Sequence, residues 1–205
     1  MQPTTIHLIR HGDVHNPDQI LYGRLPDFRL SDKGLKQAAG AAEAMRERSL
    51  AAFFASPQQR AQETASIIIE HHPNLDIRTE PRVDEIHSPH QGSPLSKLEA
   101  MGWDLYLGVD EAYEQPAHIL QRTRDFIADV RVECSGSEVA VVTHGDVIAF
   151  MIMFANNDLA QAGKKVNFTK YGLPEIYPNT ASITTFTYNT VDPEEIPAMV
   201  YKRPY

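Results

Sequence analysis

The sequence predicts an α/β protein in which helices cover both faces of a mainly parallel sheet. Short apolar runs, of which Thr4–Arg10 and Glu138–Thr143 are the clearest, alternate with longer segments whose apolar residues recur every three or four positions. Such alternation is typical of a three-layer α/β/α sandwich. The last two predicted strands, 180–188 and Ala198–Lys202, have no helix between them, so we expect one antiparallel edge strand.

The remaining elements follow from the same signals. Strands are predicted at Thr4–Arg10, 51–55, 75–79, Glu138–Thr143, 180–188 and Ala198–Lys202, and helices at 31–48, 57–71, 95–103, 116–132 and 145–155. We expect the apolar stripe of the first helix to be buried; it consists of Leu35, Ala38, Ala39, Ala42 and Met45. Ser56 followed by Pro57 is typical of a helix start, with a capping side chain and then a proline in the first helical position.

Length, charge and cysteine content narrow the class of protein. The 205 residues suit one domain spanning 1–205. The net charge of −8 argues against a nucleic-acid partner. No apolar run approaches the ~20 residues that a membrane span needs, and residues 1–4 lack the pattern of a signal peptide. With Cys134 as the single cysteine, no internal disulfide can form, so we expect a cytoplasmic protein.

Basic and imidazole side chains follow three of the predicted strands. Arg10 and His11 come directly after the first strand, Arg60 follows the second, and His144 with Gly145 follows the strand that ends at residue 143. The carboxyl ends of parallel strands lie at one edge of a sheet, where ligands bind. The second and third of these exits open into helices, whose free N–H groups attract anions. The sequence therefore predicts an anion site at this edge.

Other interpretations of these residues fit less well. His11 and His15 have the spacing of two zinc ligands on a helix, but Gly12 and Pro17 indicate a loop, and no glutamate follows the first histidine. Cys134 does not fit a cysteine-dependent phosphatase, because alanine stands where an arginine is needed six residues later. We therefore expect no metal and no cofactor.

The chain resembles the histidine phosphatase superfamily, also called phosphoglycerate mutase-like. The resemblance extends over most of the sequence and keeps the family's order. The matching stretches are Leu-Ile-Arg-His-Gly at 8–12, Tyr-Gly-Arg at 22–24, Leu-Ser-Asp-Lys-Gly at 30–34 with Gln-Ala at 37–38, Ala-Ser-Pro-Gln-Gln-Arg-Ala-Gln-Glu-Thr-Ala at 55–65, Glu85, Val-Thr-His-Gly at 142–145 and Pro-Asn-Thr-Ala-Ser-Ile at 178–183.

This resemblance implies roles for the clustered residues. His11 would be the nucleophile and become a phosphohistidine. The phosphoryl oxygens would be held by Arg10, Arg60 and His144, with Asn16 and Gly145 beside them. The proton donor falls on Glu85, with its neighbour Asp84 as the rival. Arg24 either reaches the far end of the substrate or braces its own loop.

The same resemblance implies a metal-independent phosphatase acting on a small phosphorylated metabolite. The alternatives are a phosphoglycerate mutase with the same nucleophile and a non-catalytic module that binds a phospholigand. Residues 86–89, Ile-His-Ser-Pro, lack the Arg-His-Tyr-Gly continuation associated with those mutases. We expect Trp103 and Tyr106 to pack in the core or on the surface rather than to wall the site. The lysines of the polar connection 156–178 are expected in a solvated loop rather than a lid, at Lys164, Lys165 and Lys170.

Overall fold

The computed structural model describes residues 2–163 and 166–205, so Lys164 and Lys165 lie outside the described residues. Within that part of the chain the strands are β1 (Thr4–Arg10), β2 (Leu50–Ala55), β3 (Ile77–Thr79), β4 (Glu138–Thr143), β5 (Ile183–Tyr188) and β6 (Ala198–Lys202). The helices are α1 (Asp32–Met45), α2 (Gln59–Ile69), α3 (Leu95–Ala100), α4 (Pro116–Glu133) and α5 (Gly145–Ala155). Short 3-10 helices lie at Pro81–Val83 and Phe168–Tyr171.

The strands form one sheet in the order β3-β2-β4-β1-β5-β6. Strands β1 to β4 are parallel, whereas β5 pairs antiparallel with both β1 and β6. Helices α1 and α2 pack on one face of the sheet, and α3, α4 and α5 pack on the other. The predicted α/β/α layers and the antiparallel edge are confirmed. None of the described helices is both long and apolar enough to span a bilayer.

Strand register brings three strand ends side by side. Arg10 at the end of β1 pairs with Thr143 at the end of β4, and Ala55 at the end of β2 pairs with Val142. Because these three strands are adjacent and parallel, the residues that follow them emerge at the same edge of the sheet. The chain between β1 and α1 and the loops after β3 and α5 rise above that edge.

The predicted buried stripe of α1 is confirmed at Ala38, Ala42 and Met45 and wrong at Leu35 and Ala39. Leu35 is 45% exposed and Ala39 is also exposed, whereas Gly34 and Gln37 face inward. The cause is the contact of the helix start with the loop after β1: the Gln37 side chain accepts a hydrogen bond from the backbone N–H of Asp13 at 2.9 Å. A polar residue with a fixed partner has thus replaced leucine on the inner face.

The predicted start of α2 is also wrong. The helix begins at Gln59, two residues after the predicted first position. The hydroxyl of Ser56 accepts from the backbone N–H of Gln58 at 3.3 Å and donates to Asp84 at 3.0 Å. Arg60 still falls in the first turn, as the sequence predicts.

In the connection after α5, Lys170 is exposed and paired with Asp158 at 2.8 Å, as expected of a solvated loop.

Candidate active site

His11 lies at the centre of the cluster and is 1% exposed. Its Nδ1 lies 2.7 Å from the carbonyl oxygen of Gly12. A carbonyl can only accept, so Nδ1 carries the proton and Nε2 keeps its lone pair. Burial, followed by the charge of Arg60 and the ring of His144, holds the pKa of His11 well below its usual range. The imidazole is therefore neutral near pH 7, with Nε2 available as a nucleophile.

Arg60 is 1% exposed and joins the members of the cluster. Its Nε donates to His11 Nε2 at 3.3 Å. Its terminal nitrogen donates to Glu85 Oε2 at 3.2 Å, lies 3.3 Å from His144 Nδ1, and donates to the Gly23 carbonyl at 2.8 Å. A guanidinium held in this way is a fixed positive charge beside the lone pair of His11.

Arg10 provides a second guanidinium at the same edge. One terminal nitrogen donates to the Pro178 carbonyl at 2.7 Å, and the group lies 5.4 Å from the centre of the Tyr177 ring. Its Nε is buried and has no hydrogen-bond partner. An unpaired charged donor in such a place is costly unless a ligand accepts from it, so this atom favours an anion in the site.

His144 is completely buried and faces His11, with 5.2 Å between the ring centres. Its Nε2 lies 2.7 Å from the hydroxyl of Ser56, which donates its proton to Asp84. The hydroxyl must therefore accept from His144, so Nε2 is protonated and Nδ1 faces Arg60 and Glu85. Burial lowers the pKa of His144, although the Glu85 carboxylate acts in the opposite direction.

The adjacent acids Asp84 and Glu85 have different surroundings. Glu85 borders the cavity above the cluster, with Oε2 3.3 Å from His144 Nδ1. Burial alone would raise the pKa of Glu85, but His144 and Arg60 outweigh it and hold the value well below its usual range. Asp84 is directed below the site, where it accepts from Ser56 and from the backbone N–H of Glu85. The geometry therefore favours Glu85 as the acid that meets a ligand.

Three further predicted residues take different positions. Asn16 borders the cavity, but both ends of its amide are bonded to the backbone of Ile20. Gly145, the first residue of α5, lines the cavity. Arg24 donates to the Glu85 carbonyl and to Glu114, each at 2.7 Å, and is not among the residues lining the cavity. This arrangement favours Arg24 as a brace.

Comparisons with known proteins identify the family. Residues 6–189 match the model of the histidine phosphatase superfamily, branch 1. The chain belongs to this superfamily. It is 37% identical over 150 residues to an uncharacterized protein of Mycobacterium tuberculosis, Rv0525, covering 70% of this chain and 74% of that protein. It is 30% identical over 146 residues to phosphoserine phosphatase 1 of Hydrogenobacter thermophilus, covering 67% and 69%. Among solved structures, the mycobacterial glucosyl-3-phosphoglycerate phosphatase Rv2419c superposes with a TM-score of 0.77 at 22% identity, covering 98% of both chains.

Several residues that line the cavity of this chain were missed from the sequence or expected elsewhere. Trp103 and Tyr106 border the cavity, contrary to expectation. Asp146 lies on the same wall, where it accepts hydrogen bonds from the hydroxyls of Tyr106 and Tyr177, the latter at 2.5 Å. Burial raises the pKa of Asp146, and these hydrogen bonds oppose the rise. The one available sequence signal was Asp146 following His144-Gly145 at a helix start.

A metal ion suits the cluster poorly. His11, Glu85 and His144 each place a ligand atom within 4.8 Å of the others. However, the guanidinium of Arg60 lies 3.3 Å from His11 Nε2 and 3.2 Å from Glu85 Oε2. Its charge repels a divalent cation and attracts an anion in the same space.

Proposed function

We propose that this histidine phosphatase hydrolyses a small phosphate monoester without a metal, through a phosphohistidine on His11. The observation that carries the proposal is the neutral His11, its Nε2 lone pair facing Arg60, His144 and Glu85. Phosphoserine phosphatase 1 and glucosyl-3-phosphoglycerate phosphatase, two of the similar proteins, are phosphatases, which agrees with hydrolysis.

In the first step Nε2 of His11 attacks phosphorus, and the bond from phosphorus to the ester oxygen breaks. Arg60 and Arg10 hold the non-bridging oxygens and stabilise the negative charge of the transition state. Nδ1 of His144 is unprotonated in the empty site, so it would have to take up a proton when the ester binds in order to donate to the same group. Glu85 gives its proton to the leaving oxygen, and the alcohol departs.

In the second step a water molecule attacks the phosphohistidine. Glu85, now a carboxylate, takes a proton from that water, the bond from phosphorus to Nε2 breaks, and inorganic phosphate leaves. Glu85 is ionised in the empty site because His144 and Arg60 lower its pKa. A bound phosphoryl group neutralises those charges, so we expect the ligand itself to raise the affinity of Glu85 for a proton.

Hydrolysis fits the cavity better than mutase activity does. A mutase must hold a substrate with a second anionic group while excluding water. Among the described residues lining the cavity, Arg10 is the one with a positive side chain. Comparing the release of inorganic phosphate with the interconversion of phosphoglycerates separates the two activities.

The proposal is tested with p-nitrophenyl phosphate in the presence and absence of a chelator. We expect chelation to leave the rate unchanged and His11→Ala to reduce kcat by at least about a thousandfold, since the nucleophile is lost. His15→Ala, at an exposed histidine four residues away, is the matched control and should retain activity. Rapid quenching should trap an acid-labile phosphoenzyme in wild type only. Activity that depends on metal or survives His11→Ala contradicts the proposal.

A further inference from the structure

A cavity of about 620 Å³ extends from the cluster to the surface. The phosphoryl-binding end, formed by Arg10, Glu85 and Gly145, occupies a small part of it. The rest of the cavity wall is mainly apolar. It is formed by the loop between β1 and α1, by α3 and the chain that follows it, by α5, and by the connection after α5. Its deeper wall includes Leu21, Ile86, Leu105, Ala149, Phe150 and Met153. Cavities of this size and composition suit a largely apolar organic group.

The charges in this cavity oppose a second anion. Glu85 is paired with Arg60 at 3.2 Å at the phosphoryl end, so Asp104 and Asp146 are the carboxylates on the rest of the described lining, where no cation stands against them. Arg10 is at the phosphoryl end, whereas Asp146 is fixed on the wall by the hydroxyls of Tyr106 and Tyr177. A carboxylate or second phosphate on the leaving group would therefore meet negative charge in a poorly hydrated space.

The mouth of the cavity is also apolar. Trp103 and Ile176 line it while remaining 54% and 69% exposed. Trp103 has a positive φ of 61°, a backbone conformation that bulky residues rarely adopt. Large apolar side chains held at an entrance favour entry of an apolar ligand.

We propose that the leaving group of the substrate is apolar and uncharged, so that the enzyme prefers monoesters of phenols or hydrophobic alcohols over substrates with another anionic group. This inference rests on the proposed function for the phosphoryl end. It separates this chain from the relatives named above, because phosphoserine and glucosyl-3-phosphoglycerate each carry a carboxylate.

The test is a pair of esters that differ in charge alone, 4-carbamoylphenyl phosphate and 4-carboxyphenyl phosphate. We expect kcat/KM to be at least about tenfold higher for the amide, with 1-naphthyl phosphate at least as good and phosphoserine and 3-phosphoglycerate poorer still. Equal values for the pair, or a preference for the carboxylate, overturn the inference.

Asp146→Asn removes the wall charge and keeps one of the two oxygens that accept from the tyrosine hydroxyls. We expect this variant to reduce the ratio of kcat/KM for the amide to kcat/KM for the carboxylate severalfold, mainly by lowering KM for the carboxylate. Asp125→Asn, at an exposed position on α4, is the matched control and should leave the ratio unchanged. A ratio that Asp146→Asn does not change contradicts the electrostatic part of the inference.

Binding separates this inference from the proposed function. The same two esters are titrated calorimetrically into His11→Ala, which cannot form the phosphoenzyme. Tighter binding of the amide supports the inference, whether or not wild type hydrolyses either ester. A wild-type enzyme that hydrolyses neither ester refutes the proposed hydrolysis but leaves the inference standing. Equal binding, or tighter binding of the carboxylate, overturns the inference even when wild type is an active phosphatase.

Discussion

The two histidines of the site are held in different tautomers by their neighbours. The Gly12 carbonyl holds the proton of His11 on Nδ1, whereas the Ser56 hydroxyl requires a proton on Nε2 of His144. Each ring therefore presents an unprotonated nitrogen to Arg60. The same residue type can thus serve as nucleophile in one place and as a ligand-binding group in the other.

The pH dependence of kcat/KM follows from these states. Burial and the charge of Arg60 hold the pKa of His11 well below 6.5, so acidification spares the nucleophile until the pH lies well under that value. Because the pKa of Glu85 is also low, the ester monoanion must bring the required proton, and the second pKa of a phosphate is about 6. We expect kcat/KM to fall as the pH rises above about 6. Rate profiles for phenyl phosphate check this; a loss of rate on acidification centred at or above 6.5 contradicts it.

Ser56 is predicted to act as a positioning residue. Ser56→Ala leaves Nε2–H of the buried His144 without its acceptor, a loss worth ~1–3 kcal/mol. We expect kcat to fall roughly tenfold, with Ser56→Thr restoring most of it. The control is Ser66→Ala, where an exposed hydroxyl on α2 bonds only within the helix. In proton NMR, the His144 Nε2–H resonance should shift in Ser56→Ala and stay in place in Ser66→Ala. If kcat and the resonance are both unchanged in Ser56→Ala, the Ser56 hydroxyl does not position the His144 ring.

At the scale of elements, the site depends on how closely α1 approaches the end of β1. A Cβ at Gly12 would lie 2.6 Å from the backbone oxygen of Gly34, and one at Gly34 would collide with the backbone of Asp13. Ser31 caps α1 and also donates to Asp13 at 2.7 Å. These contacts fix the loop that carries His11, so both glycines are required by backbone packing.

Gly12→Ala tests this contact. The added methyl group meets a fixed backbone carbonyl, so we expect a loss of ~1–3 kcal/mol in the free energy of unfolding together with reduced kcat, since His11 is the preceding residue. Gly40→Ala, on the same helix, meets the Cβ of Tyr205 at 3.3 Å and is expected to change the free energy of unfolding by less than about 1 kcal/mol. Urea denaturation and p-nitrophenyl phosphate turnover compare the two variants; equal stability losses would contradict the packing argument.

For the whole molecule, the alternation of apolar runs was sufficient to predict the layers, the parallel strands and the shared edge that brings Arg60 and His144 to His11. On α1, apolar periodicity failed at Leu35 and Ala39, because it cannot recognise that Gly34 and Gln37 have buried partners. It also could not place Asp146, whose tyrosine partners come from distant loops. Local patterns report which residues avoid water, whereas contacts between loops depend on the finished fold. That residues 1–205 form one domain stays a prediction.

The buried imidazoles also make the stability of the whole fold depend on pH. Burial lowers the pKa of His7, His11 and His144. Below pH 6.5 the unfolded chain therefore binds more protons than the folded one, and stability falls as the pH falls, by up to about 1.4 kcal/mol per pH unit for each group. Urea titrations at about pH 7.5 and 5.5 measure this difference. We expect His7→Gln, in β1 away from the site, to reduce it and His71→Gln, at an exposed position, to leave it unchanged. If the difference in the free energy of unfolding between the two pH values is equal in both variants, burial of His7 does not contribute to the pH dependence of stability.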